Sequence, residues 1–209
     1  MSQQTLIKAE DVIQSVADAL QYISYYHPLD YVEALGAAYE REQSAAAKDA
    51  IAQILTNSRM CAEGHRPICQ DTGLVTAFVS IGMDVRFDTS SRSVVDMINE
   101  GVALAYTDKS NTLRYSVLAD PAGARKNTKN NTPAVVYFDY VPGNKVEIKL
   151  AAKGGGSEAK SHLVMLNPSD SIVDWVVKTL PLMGSGWCPP GVIGLGIGGT
   201  PDKAMLLAK

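Results

Sequence analysis

The apolar residues of this chain change their period part-way along it. Up to about residue 67 they recur at three- and four-residue steps, and from Leu74 they alternate, with β-branched residues among them. The first period lays a stripe along a helix and the second lays one face of a strand on a core. The switch predicts an α+β fold, helical over 1–67 and mixed α and β over 68–209, within one domain. In the first part Val12, Ile13, Val16, Ala17, Leu20 and Ile23 mark an amphipathic helix from Lys8 to about Tyr26. Glu10 and Asp11 sit in its first turn, where the helix dipole favours anions. His27-Pro28 ends it, because proline disfavours helical geometry in the residue before it. Helices over 30–43 and 45–60 follow, and residues 57–67 deliver the chain to Cys69.

In the second part a strand is expected over 74–81 and a helix over 91–106. Residues 108–132 are polar, and at about 25 residues the stretch exceeds the usual connection, which makes it a functional loop or a mobile one. Runs over 133–140 and 145–152, separated by Val141-Pro142-Gly143-Asn144, read as a hairpin. A helix over 169–182, capped by Ser169 or Ser171, a short strand over 192–197 and a helix from Pro201 complete the chain. That last helix has no cap or closing element after it, so the sequence reads as cut rather than finished.

Composition narrows the class without choosing the chemistry. Of 209 residues 46% are hydrophobic and 20% charged, which suits a globular protein. The net charge of −3 argues against a nucleic-acid surface, which needs clustered cations. The start, Met1-Ser2-Gln3-Gln4-Thr5, carries neither a basic leader nor an apolar segment, and no run approaches the ~18 apolar residues of a membrane helix. A cytoplasmic location is expected. Three cysteines are an odd number for a disulfide framework, leaving metal binding and burial as the competing readings. The sequon Asn130-Asn131-Thr132 is then chemically idle.

Three blocks carry the chemistry. Ile68-Cys69-Gln70-Asp71-Thr72-Gly73 sets a thiol beside a carboxylate just ahead of a strand, with Arg66 close by in sequence. Lys153-Gly154-Gly155-Gly156-Ser157-Glu158 is a glycine triplet between charges. Trp187-Cys188-Pro189-Pro190 runs into Gly194-Leu195-Gly196-Ile197-Gly198-Gly199-Thr200. Together and in this order they resemble the class I fumarate hydratase family, the iron–sulfur hydro-lyases that include the L-tartrate dehydratase α subunit. The resemblance runs from about Asn57 to the last residue.

The resemblance implies a [4Fe–4S] cluster held by thiolates, with one iron left open as a Lewis acid for substrate oxygen. Cys69 and Cys188 match two of the family's ligands, and the third lies downstream of the point where this chain ends. It further implies that Gln70 and Asp71 reach the substrate, that Asp71 moves the proton, and that Arg114 binds a carboxylate with its planar fork. Gly156 matches a glycine whose backbone approaches substrate. The implied reaction is reversible hydration of fumarate to L-malate, a step of the tricarboxylic acid cycle. Dehydration of L-tartrate or a related hydroxy-dicarboxylate is the alternative. Partners implied are a C-terminal domain or β subunit and a second copy in a homodimer, without which the 209 residues would hold no stable cluster and be inactive.

The residues also allow plainer readings. Asp71 before Thr72-Gly73 suits a turn, Arg114 a surface position, and Cys61 the buried face of a helix shared with Ile51, Ile54, Leu55 and Ser58. His27 reads as a turn residue and His65 as an exposed loop histidine. A rival of another class is a dinucleotide-binding module, since Gly194-x-Gly196-x-x-Gly199 follows an expected strand and precedes a helix. The fingerprint also needs an acidic residue ~20 positions on to meet the ribose, and the sequence reaches Lys209 before that position.

Overall fold

The computed structural model describes residues 4–89 and 91–209. The chain opens with a strand, β1 (Thr5–Lys8), then three helices, α1 (Ala9–Tyr25), α2 (Leu29–Arg41) and α3 (Ala45–Gly64). Strands β2 (Leu74–Gly82) and β3 (Val85–Asp88) precede helix α4 (Val94–Thr107). Two short strands, β4 (Leu118–Ala119) and β5 (Lys126–Asn127), then lead to β6 (Val135–Val141) and β7 (Val146–Lys153). The fold is α+β, as the periods predict, and after β1 the part up to Gly64 consists of three helices joined by short connections. The chain forms two compact units, Met1–Lys153 and Gly154–Lys209.

Local chemistry places the helix ends. Ser44 accepts from the Ala47 amide at the start of α3, and Ser93 and Asp96 close a reciprocal capping box on α4. Two hydrogen bonds from Ser93 hold the Asp96 carboxyl below the usual carboxylate range. Pro28 ends the gap between α1 and α2 as expected.

The core of the first unit lies where α1 and α4 cover one face of β2. Val12, Val16 and Leu20 from α1, Val75, Val79 and Ile81 from β2, and Met97, Ile98, Val102 and Tyr106 from α4 are all buried there. Removing each such side chain from water contributes roughly 1.5–3 kcal/mol. On the other face of β2, Phe78 stacks on Tyr137 with centroids 5.4 Å apart.

The expected hairpin of 133–140 with 145–152 does not form. β6 pairs parallel with β2, from Thr76 with Val135 to Gly82 with Val141. β7 pairs antiparallel with the other edge of β2, from Leu74 with Lys153 to Ile81 with Val146. The order is β6-β2-β7, because β2 is the most continuously apolar strand and takes the centre. The Val141–Asn144 turn spans the end of β2, where the Asp84 amide donates to Gly143 O at 2.9 Å. The parallel pair β1 and β3 escapes the sequence reading because each strand has four residues, too few for alternation to register.

The second unit holds α5 (Gly155–Glu158), α6 (Ile172–Thr179), a 3₁₀ turn (Leu180–Met183) and α7 (Pro201–Ala208). Ser171, not Ser169, caps α6. The expected strand over 192–197 is absent. A Cβ on Gly194 or Gly196 would strike the carbonyl oxygens of Ala208 or Ala204, so these glycines admit the backbone of α7. The strand that a dinucleotide fingerprint requires is therefore missing, and its glycines serve packing. None of residues 154–209 is fully buried.

Candidate active site

The loop from Ile68 to Gly73 is tied down at its start. The Ile68 amide donates to Ser24 O at 2.8 Å, and Asn57 Nδ2 donates to Ile68 O at 3.0 Å. Cys69 and Gln70 are exposed beyond this anchor. The Asp71 amide donates to Cys69 Sγ at 3.4 Å, and the Cys69 thiol donates to Gln70 Oε1 at 3.4 Å. The Gly73 amide donates to Asp71 Oδ1 at 3.2 Å, so Asp71 does form the turn that its sequence context predicts. Its carboxylate thus has a fixed direction.

Gly73 then turns the chain into β2 with φ +86°, and a Cβ there would lie 2.7 Å from Ala152 C and 2.8 Å from Lys153 N. Only glycine fits this crossing. The segment carrying Arg114 is bound to the same place: the Thr72 hydroxyl donates to Arg114 O at 2.8 Å. Leu113 is buried, which leaves the neighbouring Arg114 side chain exposed. The structure therefore places the residue after Asp71 in direct contact with the backbone of Arg114. The long polar stretch 108–132 is anchored by buried Asn111, Leu113 and Asn131.

His27 does more than turn the chain, since its Nδ1 lies 3.0 Å from Ser58 Oγ and burial lowers its pKa. His65 is exposed, caps α3 with φ 47° and stacks on Tyr25 at 4.7 Å. Arg66 donates to Ser110 O at 3.1 Å.

Within the second unit, Cys188 is exposed with φ 56°, and its amide donates to Ser185 O at 2.9 Å. Left-handed backbone at a non-glycine residue costs roughly 1–2 kcal/mol. The Trp187 ring packs on Gly191, and the Ser157 hydroxyl donates to Trp187 O at 3.4 Å, joining the glycine block to the cysteine block. Gly156 is exposed, and a Cβ on it would strike Gly186 O. Its lack of a side chain thus serves this internal approach.

A family model described as fumarate hydratase (fumerase) matches residues 13–209. The chain belongs to the fumarate hydratase family. It is 34% identical over 209 residues to a Methanocaldococcus jannaschii protein provisionally named L(+)-tartrate dehydratase subunit alpha, covering 97% of this chain and 71% of that one. It is 27% identical over 198 residues to the L(+)-tartrate dehydratase subunit alpha of Escherichia coli O157:H7, and 26% identical to that of strain K12. In both cases 93% of this chain and 64% of the relative are covered, so the chain spans about two thirds of the length of the curated relatives it matches. The family supports hydro-lyase chemistry.

As donors to an iron–sulfur cluster the three cysteines are not equivalent. Cys69 and Cys188 are exposed soft donors, and the amide directed at Cys69 Sγ is of the kind that supports a thiolate ligand. Cys61 does not fit. It is buried, its thiol donates to Asn57 Oδ1 at 3.5 Å and to Pro67 O at 3.6 Å, and burial pushes its pKa up. Among the described residues no three His, Cys, Asp or Glu side chains gather to hold a metal ion, and Cys69 and Cys188 belong to different units.

Sequence reasoning missed Tyr106 and Asn131. The Tyr106 hydroxyl donates to Thr72 O at 2.7 Å and to Gly73 O at 3.2 Å. Asn131 is fully buried and donates to Gly73 O at 3.0 Å. Tyr106 closes an apolar helical stripe and so reads as core, while Asn131 lies in the sequon set aside as idle. A polar tip at the end of that stripe was the one signal available.

Proposed function

We propose that the chain is the part of a class I hydro-lyase that carries two cluster thiolates and the first substrate contacts, and that the complete enzyme reversibly hydrates fumarate to L-malate. The observation that carries this is the direct tie from the Thr72 hydroxyl to Arg114 O at 2.8 Å, which holds the backbone segment bearing Arg114 against the one bearing Asp71. Cys69 and Cys188 would hold a [4Fe–4S] cluster, with a third thiolate from outside the 209 residues. When bound, the cluster supplies Lewis acidity toward the substrate hydroxyl.

This chain's own residues do the rest. Arg114 pairs with a substrate carboxylate and fixes its orientation. Asp71, held by the Gly73 amide at 3.2 Å, takes or returns the proton at the carbon next to the one bearing the hydroxyl. Gln70 offers amide groups to the dicarboxylate, and Gly156 contributes backbone. No helix among the described residues is long and apolar enough to cross a membrane.

The named relatives favour a second reading, dehydration of L-tartrate, and their designation as α subunits favours a β subunit as partner. The partner, or a second copy, would cover surface such as Leu182 and Val192, which are 79% and 82% exposed. The test is to purify the native protein anaerobically with any subunit that accompanies it. Iron content and turnover of fumarate and of L-tartrate are then measured. Fumarate turnover supports the first reading, tartrate turnover alone replaces it with the second, and an iron-loaded protein inert to both sinks the proposal.

A further inference from the structure

The loop that carries Asp71 and the segment that carries Arg114 are held by buried groups to which the chemistry assigns no part. Gly73 O accepts from two side chains, the Tyr106 hydroxyl at 3.2 Å and Asn131 Nδ2 at 3.0 Å. The same hydroxyl lies 2.7 Å from Thr72 O. Asn131 also uses its other end: its Oδ1 accepts from the Ser116 amide at 2.8 Å. One amide side chain therefore bridges residue 73 to residue 116, while Thr72 bridges directly to residue 114. Two parallel links join the two segments, and Tyr106 pins both carbonyls of the first segment to α4.

We propose that Tyr106 and Asn131 are positioning residues that set the distance and orientation between the Asp71 carboxylate and the Arg114 guanidinium, acting through the Thr72–Gly73 backbone. The inference rests on the roles given to Asp71 and Arg114 above. Three features favour a positioning role over mere packing. Tyr106 and Asn131 are 1% and 0% exposed, so their polar ends can be served only by these backbone groups. Asn131 adopts φ 61°, a conformation that asparagine tolerates better than other non-glycine residues, so its backbone is bent to deliver the amide. Burial and the neighbouring Asp71 carboxylate keep the Tyr106 hydroxyl protonated, so it remains a donor to the loop and cannot replace Asp71 as base.

A loop released by even 1 Å would still bind substrate through Arg114 but would present Asp71 wrongly, a displacement that costs on the order of 10²-fold in rate. The test compares Tyr106→Phe with Val102→Ala, a fully buried change one turn earlier on the same helix. In the native iron-loaded enzyme, Tyr106→Phe is expected to lower kcat by roughly 10- to 100-fold with KM within about threefold. In the 209-residue chain, amide hydrogen exchange over residues 69–73 should speed up by about tenfold or more. Val102→Ala should lower Tm and do neither. Should Tyr106→Phe fail to fold, Asn131→Gly, which tolerates the φ of 61° and removes the bridging amide, carries both measurements. Tyr106→Phe or Asn131→Gly matching Val102→Ala in both readouts would overturn the proposal. A wild-type enzyme inert to fumarate and tartrate would sink the functional reading instead, and the exchange measurement would still decide whether the clasp exists.

Discussion

Replacing Gly73 by alanine tests the junction on which the site is built. Its φ of +86° lies where an L side chain is strained, at roughly 1–2 kcal/mol. The added methyl would also stand 2.7 Å from Ala152 C and 2.8 Å from Lys153 N, about 1 Å inside the ordinary 3.5–4.0 Å contact. Both neighbours are backbone, so no rotamer change relieves the overlap. The relief available is to part the end of the sheet where Leu74 pairs with Lys153 and Val75 with Ala152. Opening one or two ladder hydrogen bonds there forfeits about 0.5–1.5 kcal/mol each. Strain and opening together give a loss of about 1.5–5 kcal/mol, a large share of the ~5–15 kcal/mol that holds a typical domain folded. Urea unfolding of the 209-residue chain, followed by circular dichroism, measures it. A loss below about 1 kcal/mol with an unchanged m-value would refute the reasoning, because it would mean that Gly73 and the end of β7 are not in contact.

The other predictions concern chemistry and pH. In the complete enzyme Asp71→Asn should keep the Gly73 turn, since the amide oxygen can accept the same hydrogen bond, yet lower kcat by at least ~10²; a native rate would reduce Asp71 to a turn residue. Arg114→Ala should mainly raise KM for the dicarboxylate, by steady-state assay. Cys69→Ser and Cys188→Ser should each abolish the visible absorption of the anaerobically reconstituted complete enzyme, whereas Cys61→Ser keeps it, because a hydroxyl is a poor soft-metal ligand; the reverse pattern would reassign the ligands. The Tyr106 pKa is raised from 10.0 to about 12, so its neutral form favours the folded state. Stability from this group is then constant below pH 10 and falls as pH rises from about 10 to about 12, by up to roughly 3 kcal/mol at 1.36 kcal/mol per unit. Denaturation of wild type and Tyr106→Phe across that range should show a steeper fall for wild type; equal slopes would contradict it.

The helices of the first 67 residues were legible because their stripes of Val12, Val16 and Leu20 and the break at His27-Pro28 are local signals. The hairpin reading failed for a reason that is not local. The 133–140 and 145–152 runs carry the pattern and the turn of a hairpin, but β2 outcompetes each as a partner for the other. Its residues 75–77, 79, 81 and 82 are buried and need strands on both sides, and nothing within the Val141–Asn144 turn announces a third strand much earlier in the chain. The missing strand at 192–197 has a similar cause, since its glycines are needed by α7.

The site divides along the same line. Cys69, Asp71 and Arg114 are picked out by the resemblance of their blocks to the family, because the chemistry that the resemblance implies acts through side-chain identity. Tyr106 and Asn131 act through backbone carbonyls of Thr72 and Gly73, which every residue type possesses, so no pattern in the target segment advertises them. What singles them out is burial of a polar group, a property that arises only once α4, β2 and the 108–132 stretch have come together. A buried donor must find an acceptor or lose about 1–3 kcal/mol, so the fold itself requires these two side chains to grip something. That they grip the two residues following Asp71 makes the stability of this unit and the geometry of its candidate site consequences of the same hydrogen bonds.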